Sequence, residues 1–248
     1  MATTPSVPVS GQPTDVLPVV SPAARQGDHE GVDLTETRSA VGPDLGSDAP
    51  EAPDAEVAAP TRAAGAVLLV GGLVGAVVAL VLLLDKIALL ENPAFVPSCS
   101  IDPVLSCGTI MKTWQASLLG FPNPVLGLLT FPVAAAMGAL ALGGVALPRW
   151  AWWSLQAGTT LGLLLIHWLI VQSLVVIGAL CPWCMVAWVA TIAMFWFTTV
   201  HNLRAGLLGG APAGLRRHGW GLAAWYLAIV VAIVATFPAW AAGLVGLG

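Results

Sequence analysis

The chain has 248 residues, of which 57% are hydrophobic and 9% are charged, and its mean hydropathy is +0.86. These values exclude an ordinary soluble domain, because too few charged residues remain to cover its surface. The net charge of -4 carries no information about nucleic acid or an acidic substrate, since ten of the thirteen acidic residues lie before Thr61.

The first 60 residues hold nine prolines and no Phe, Trp or Tyr. Such a segment cannot bury enough apolar surface to offset its ordering entropy. Residues 1–60 are therefore predicted to form a disordered acidic tail. The apolar stretch of a secretory signal does not occur in it, so the first apolar run is predicted to be a permanent membrane anchor.

Five apolar stretches follow the tail, each long enough to cross a hydrocarbon core that needs roughly 20 helical residues. They predict an all-α membrane protein with five transmembrane helices. The predicted spans are 63–84, 124–147, 151–179, 184–200 and 221–245. Pro238 is predicted to kink or end the fifth helix, because proline removes a helical hydrogen bond.

Basic residues in the connections predict the orientation. Arg62, Arg149, Arg204, Arg216 and Arg217 lie at one end of the predicted helices, whereas only two lysines lie at the other end. Because cytoplasmic loops carry an excess of basic residues, the N-terminus is predicted to be cytoplasmic and the C-terminus extracytoplasmic.

The same topology places all four cysteines on the extracytoplasmic side, where disulfides persist. Cys99 and Cys107 lie in the first extracytoplasmic loop, and Cys181 and Cys184 lie at the start of the fourth helix. Four cysteines allow three pairings, and all three are compatible with turnover.

The Cys181-Pro182-Trp183-Cys184 segment favours redox chemistry for a physical reason. Pro182 suits the first position of a helix, so Cys181 is predicted to be the N-cap and Cys184 to lie in the first turn. Unpaired backbone N–H groups and the helix dipole then stabilise a thiolate, which is the species that attacks disulfides or quinones.

Other uses of the cysteines are less consistent with the sequence. A zinc site of the usual pattern needs a nearby His that does not occur, and covalent haem attachment needs a His where Met185 stands. Two purely structural disulfides remain an alternative. A disulfide between positions 181 and 184 at a helix start would be strained, however, and is better suited to thiol–disulfide exchange than to a structural role.

The first extracytoplasmic loop has a helical pattern of its own. Cys107, Met111, Trp114 and Leu118 recur at spacings of four, three and four, which predicts one face of a short interfacial helix that begins near Ser106. Cys107 is then held at membrane depth, whereas Cys99 is expected to stay on a flexible arm that water-soluble partners reach.

Together these residues resemble the bacterial branch of the vitamin K epoxide reductase family. The resemblance rests on the run from Cys99 to Cys107 followed by Gly108, on Phe121-Pro-Asn-Pro with Gly127, and on Cys181-Pro-Trp-Cys184. The disulfide bond formation protein B type has similar chemistry, but its two cysteine pairs occur in the opposite order.

The resemblance implies four helices in a bundle around a quinone of the menaquinone, ubiquinone or vitamin K type, with the fifth helix alongside. Cys181 and Cys184 would be the pair next to the quinone, with Cys184 facing its ring. Cys99 and Cys107 would be the shuttle pair, and Cys107 would exchange with Cys181.

Four further residues are implied as quinone contacts. Asn123 matches the family's asparagine that hydrogen-bonds a quinone carbonyl, and Thr113 matches a Ser/Thr position that lines the pocket. Trp188 stands where vertebrate relatives have a Tyr, and its indole can donate a hydrogen bond but cannot accept one. Met111, on the inward face of the loop helix, completes the set.

Two polar features of the helices stand apart from that set. His167 is polar at bilayer depth and is expected to point into the bundle, either as a packing residue or in proton transfer. Asp85 and Lys86, at the end of the first helix, are interpreted as interface anchors.

The implied activity is oxidation of a DsbA-like thioredoxin-fold protein with transfer of the electrons to the membrane quinone. Because the sequence ends at Gly248 without a thioredoxin-like segment, this partner is expected to be a separate protein. Two alternatives stay open: a quinone or quinone-epoxide reductase that regenerates quinol, and a structural or metal-binding membrane protein.

Overall fold

The computed structural model describes residues 56–57, 60–210, 218–244 and 246. Within these residues, five helices are long and apolar enough to cross a membrane: Arg62–Glu91, Pro124–Leu142, Arg149–Ile177, Pro182–Arg204 and Gly219–Thr236. The all-α membrane fold with five spans is thus confirmed. Most of the predicted acidic tail lies outside the described residues.

The elements follow one another in a simple order. Strand β1 (Glu56–Val57) precedes α1 (Arg62–Glu91), and the loop after α1 contains α2 (Cys107–Met111) and a 3-10 turn (Trp114–Ser117). Helix α3 (Pro124–Leu142) and strand β2 (Leu147–Pro148) lead into α4 (Arg149–Val171), which continues as a π-helical segment (Gln172–Ile177). Helices α5 (Pro182–Arg204), α6 (His218–Thr236) and α7 (Pro238–Leu244) complete the described chain.

Four of the helices form the bundle. Helix α1 packs along α3 and α5, and α4 packs on α5. Helix α6 packs beside this bundle, where the Trp225 ring meets Phe195 and Trp196 of α5 edge to face at centroid distances of 6.2 and 6.1 Å.

Two glycines allow α1 and α3 to approach closely. A Cβ atom on Gly72 would lie 2.5 Å from the backbone nitrogen of Ala135, and one on Gly138 would overlap the backbone of Leu68 and Leu69. Small residues at such a contact let two membrane helices pack backbone to backbone. This contact forms one wall of the bundle.

Local capping fixes where the helices begin. The side chains of Thr61 and Ser106 accept hydrogen bonds from the backbone N–H groups of Ala64 and Thr109 and so cap α1 and α2. Cys181 is the N-cap of α5, and Pro182 occupies its first turn, as the sequence predicts. Cys184 therefore lies one turn into α5.

Several helix ends differ from the predicted spans. Helix α1 continues to Glu91, because the residues after the apolar run also favour a helix. Helix α3 ends at Leu142 instead of residue 147, since the Gly143-Gly144 pair follows and Gly144 takes a φ of +76°. The predicted break at Pro238 is confirmed, because α6 ends at Thr236 and α7 begins at Pro238.

The end of the predicted tail also differs from the expectation of disorder. Glu56 and Val57 pair antiparallel with Pro148 and Leu147, and the Val57 side chain is buried. Residues 1–55 and 58–59 lie outside the described part of the chain.

Candidate redox site

The two cysteine pairs meet at one end of the bundle. Cys99 and Cys107 form a disulfide, while Cys181 and Cys184 are free thiols. The sulfur of Cys107 lies 3.2 Å from the sulfur of Cys181, although the two residues are 74 positions apart in the chain. This contact joins the two pairs that the sequence separates into a loop and a helix start.

Backbone hydrogen bonds hold the loop against the start of α5. The N–H of Ser106 donates to the carbonyl of Leu180 at 2.8 Å, and the N–H of Leu180 donates to the carbonyl of Val104 at 2.7 Å. Cys107 follows Ser106 and Cys181 follows Leu180, so these two bonds set the two sulfurs side by side.

The surroundings of Cys181 favour its thiolate. Its sulfur accepts a hydrogen bond from the backbone N–H of Cys184 at 3.2 Å. Donation from the Cys184 thiol and from this N–H lowers the pKa of Cys181 below its ordinary value, although burial opposes the shift. A thiol of lower pKa leaves a disulfide faster, so Cys181 is suited to be released from a disulfide with Cys107.

The position of Cys99 corrects an expectation. The loop arm was expected to present Cys99 to water, but its side chain is only 6% exposed and that of Cys107 is fully buried. Both sulfurs pack in a cluster with Val78, Leu82 and Met111. The spacing of the cysteines in the sequence contains no signal for this burial, which depends on contacts with α1.

A cavity of about 520 Å³ lies between α1, α3, α4 and α5 beneath this loop. Its volume falls in the range of roughly 300–1,000 Å³ that is typical of small-molecule sites. Most of its lining is apolar. The sulfur-bearing and polar residues that line it are Lys86, Met111, Gln115, Asn123, Thr130, Thr159, Ser173, Cys181, Cys184, Trp188, Thr191 and Met194.

Asn123 lines the cavity and also organises the segment that covers it. Its amide nitrogen donates to the carbonyl of Gln115 at 2.7 Å, and its oxygen accepts from the N–H of Leu118 at 3.0 Å. The side chain of Gln115 in turn donates to that of Gln172 at 3.2 Å, which connects the segment above the cavity to the π-helical segment. Within the described part of the chain, the second hydrogen of the Asn123 amide makes no hydrogen bond.

The predicted loop helix is interrupted. Helix α2 ends at Met111, and the 3-10 turn begins at Trp114. Cys107 and Met111 face inward, but Trp114 is 65% exposed and Leu118 is also exposed, so the four residues do not share one buried face.

Of the four residues implied as quinone contacts, Asn123, Met111 and Trp188 line the cavity and Thr113 does not. Met111 and Trp188 are both buried in its wall. Thr113 lies at the break after α2, outside the cavity lining, and its hydroxyl donates to the carbonyl of Ile110 at 2.7 Å. That local bond turns the hydroxyl toward its own backbone, a contact that the sequence position alone does not reveal.

Lys86 is a site residue that the sequence interpretation missed. Instead of anchoring the interface, its ammonium donates to the carbonyl of Met111 at 2.6 Å and contributes to the cavity wall. A cation at the end of α2 also suits the dipole of that helix. The sequence feature that could have indicated this role is the position of Lys86 at the end of a long apolar stretch.

His167 faces the fifth membrane helix instead of the cavity. One ring nitrogen of His167 lies 2.9 Å from the carbonyl of Leu163, and the other accepts from the indole N–H of Trp225 at 3.1 Å. One nitrogen thus contacts the backbone of α4 itself and the other joins α4 to α6, which corresponds to the packing role.

Comparison with known proteins agrees with this geometry. The family model described as "Vitamin K epoxide reductase family" matches residues 66–199, which is more than half of the chain. No curated protein matches the chain. The family's proteins are disulfide oxidoreductases of membranes and are generally associated with quinones. The chain, a multi-pass membrane protein with two adjoining cysteine pairs, belongs to the vitamin K epoxide reductase family.

Proposed function

We propose that this protein oxidises a separate thioredoxin-fold protein of the DsbA type and delivers the electrons to a membrane quinone, so that disulfides form in secreted proteins. The observation that carries the proposal is the 3.2 Å contact between the sulfurs of Cys107 and Cys181 at the cavity wall. Transfer of electrons from the partner to the quinone requires both cysteine pairs and a quinone site close to one another.

The first exchange takes place outside the cavity. A thiolate of the reduced partner attacks Cys99 in the Cys99–Cys107 disulfide, and Cys107 leaves as a thiolate. The second partner thiolate then attacks the partner's own sulfur in the mixed disulfide, which releases Cys99. The partner is oxidised, and the loop pair holds the two electrons.

The second exchange crosses the contact between the two pairs. The Cys107 thiolate attacks Cys181 in a Cys181–Cys184 disulfide, and Cys184 leaves as a thiolate. Cys99 then attacks Cys107, restores the loop disulfide and releases Cys181. The structure, with the loop disulfide formed and Cys181 and Cys184 free, corresponds to the cysteine pairing that this exchange would leave.

The residues around the cavity suit a quinone. A bound quinone would accept two electrons and two protons from Cys181 and Cys184 and leave as quinol. The apolar wall excludes water from the ring, while Trp188, which makes no side-chain hydrogen bond within the described residues, and Asn123 can donate to carbonyl oxygens. Lys86 adds a positive charge to the cavity wall, where it would stabilise the negative charge that develops on a quinone during its reduction.

The proposed orientation places the cysteine end of the bundle outside the cytoplasm. Arg62 begins α1, Arg149 begins α4 and Arg204 ends α5, so all three lie at the opposite end. Their position supports a cytoplasmic location of that end by the positive-inside rule.

The test reconstitutes the relay from purified components. The protein in detergent is mixed with a reduced DsbA-type protein and a water-soluble menaquinone analogue, and both quinol formation and partner thiols are followed. We expect one quinol for each partner disulfide. Cys184→Ala should abolish quinol formation, and a Cys184→Ala variant that turned over like the parent would overturn the proposal.

A further inference from the structure

The closed loop poses a problem of access. The partner must attack the sulfur of Cys99, yet Cys99 and Cys107 are both buried. A disulfide sulfur is attacked along the line of the bond, so an incoming protein thiolate cannot reach it in this arrangement. The loop that carries the pair, residues 99–107, must therefore open and close during turnover.

A carboxylate inside this loop fixes its shape. One oxygen of Asp102 accepts from the backbone N–H groups of Val104 and Leu105 at 2.8 and 2.7 Å. The N–H of Leu105, together with the indole of Trp240, holds the pKa of the Asp102 carboxyl below its usual range. Asp102 is thus a charged acceptor at neutral pH.

The other oxygen of Asp102 makes a hydrogen bond to a residue outside the loop. It accepts a hydrogen bond from the indole N–H of Trp240 at 3.1 Å, across 138 positions of the chain. Trp240 lies on α7, which begins at Pro238 after the break that ends α6. This bond therefore connects the loop of the shuttle disulfide to the last described helix.

Apolar contacts support the same connection. Val104, Leu105 and Phe237, the residue between α6 and α7, all pack against the same cluster of buried residues. Phe237 and Trp240 both lie beyond residues 66–199, which the family model covers. The loop is thus held on one side by Leu180, next to the active cysteines, and on the other by α7, which follows the fifth membrane helix.

We propose that the hydrogen bond between Trp240 and Asp102 is a latch that keeps the loop closed over Cys181, and that its release exposes Cys99 to the thioredoxin-fold partner. The proposal rests on the proposed function for the identity of that partner. Trp240 and Asp102 are positioning residues, since they act through the loop and touch no reacting sulfur.

The experiment measures access to the loop disulfide by a small water-soluble phosphine reductant. The full-length protein is purified in quinone-free detergent with the Cys99–Cys107 disulfide formed. Samples are quenched with acid at intervals, and free thiols are counted after denaturation with a maleimide mass tag. Because the assay needs neither partner nor quinone, failure of the proposed relay would not affect its result.

Two substitutions remove the latch from opposite sides. Trp240→Phe keeps an aromatic ring but loses the indole N–H. Asp102→Asn keeps an oxygen for Val104 and Leu105, but its amide nitrogen cannot accept from Trp240. The double variant completes a mutant cycle. Trp220→Phe, at an indole on α6 that is 78% exposed, is the matched control.

We expect each single variant to be reduced about tenfold faster than the parent, the order of effect of losing one hydrogen bond to a charged group. The double variant should be no faster than the singles, and Trp220→Phe should match the parent. Single variants that react at the parent rate would overturn the latch. A double variant in which the two accelerations multiply would also overturn it, because the two side chains would then act separately.

Discussion

The sulfur atoms of Cys107 and Cys181 lie 3.2 Å apart, at the junction between a loop disulfide and a helix that begins with a free thiol. Of the two cysteines in each pair, these are the ones that meet. The contact therefore identifies which bond should form when electrons cross from one pair to the other.

Trapping of that bond is the first prediction. In a Cys99→Ala/Cys184→Ala variant, the remaining Cys107 and Cys181 should form a disulfide on mild oxidation, because their sulfurs already touch. The reciprocal Cys107→Ala/Cys181→Ala variant, which retains Cys99 and Cys184, is the control and should oxidise at least about tenfold more slowly. Maleimide tagging measures both rates, and equal rates would contradict the assigned contact.

The thiol of Cys184 should set the acidity of Cys181. Cys184→Ala and Cys184→Ser each leave Cys181 as the sole free thiol, but only Ser can still donate to its sulfur. A hydrogen bond to a charged group contributes about 1.5 kcal/mol, so the Cys181 pKa should be about one unit higher in the Ala variant than in the Ser variant.

The sign of this effect follows from the direction of the shift. A lowered pKa means that the thiolate of Cys181 forms at lower pH than in an ordinary cysteine, and that Cys181 becomes protonated only below this lowered pKa. Ultraviolet titration of the thiolate against a variant without cysteines measures the midpoint. Identical midpoints for the Ala and Ser variants would exclude donation from Cys184.

Local features of the site could be predicted from the sequence. The start of α5 at Pro182 and the capping position of Cys181 depend only on neighbouring residues, and the membrane spans depend on composition over about 20 residues. The end of α3 at Leu142 was missed, although Gly143 and Gly144 were a local signal for it.

Contacts between distant segments could not be predicted. The burial of Cys99, the bond from Lys86 to the carbonyl of Met111 and the pairing of His167 with Trp225 each join parts of the chain that no periodicity relates. Thr113 shows the same limit, because its position after Cys107 suggested the pocket while one short bond to Ile110 directs its hydroxyl elsewhere.

Lys86 should support the exchange by fixing α2. Its bond to the carbonyl of Met111 holds the end of the helix whose first residue is Cys107. In the variant that retains only Cys107 and Cys181, an added Lys86→Met change should slow disulfide formation severalfold. Lys112→Met is the matched control, since Lys112 is exposed and donates to the carbonyl of Pro93 at 3.5 Å. Equal slowing by both changes would indicate a general effect of charge.

Asn123 should be required for the segment that covers the cavity. Asn123→Ala leaves the carbonyl of Gln115 and the N–H of Leu118 without their partner, which should lower stability by about 1–3 kcal/mol. Thermal unfolding in detergent measures the loss. Asn92→Ala is the control, because Asn92 also accepts a backbone hydrogen bond, from Ala94, but at an exposed site. The same decrease in Tm for both variants would show that Asn123 has no special role.

The approach of α1 to α3 should depend on the absence of a side chain at Gly138. A methyl group there would overlap the backbone of Leu69 and the carbonyl of Gly65, neither of which is the end of a movable side chain. Gly138→Ala should therefore force the two helices apart and cost about 1–3 kcal/mol of stability. Gly158→Ala is the matched control on α4, where a Cβ atom would meet no atom within 4 Å and alanine favours the helix. Thermal unfolding of the two variants in the same detergent should give a lower Tm for Gly138→Ala and an unchanged or higher Tm for Gly158→Ala, and a Gly138→Ala protein as stable as the parent would contradict the close packing of α1 and α3.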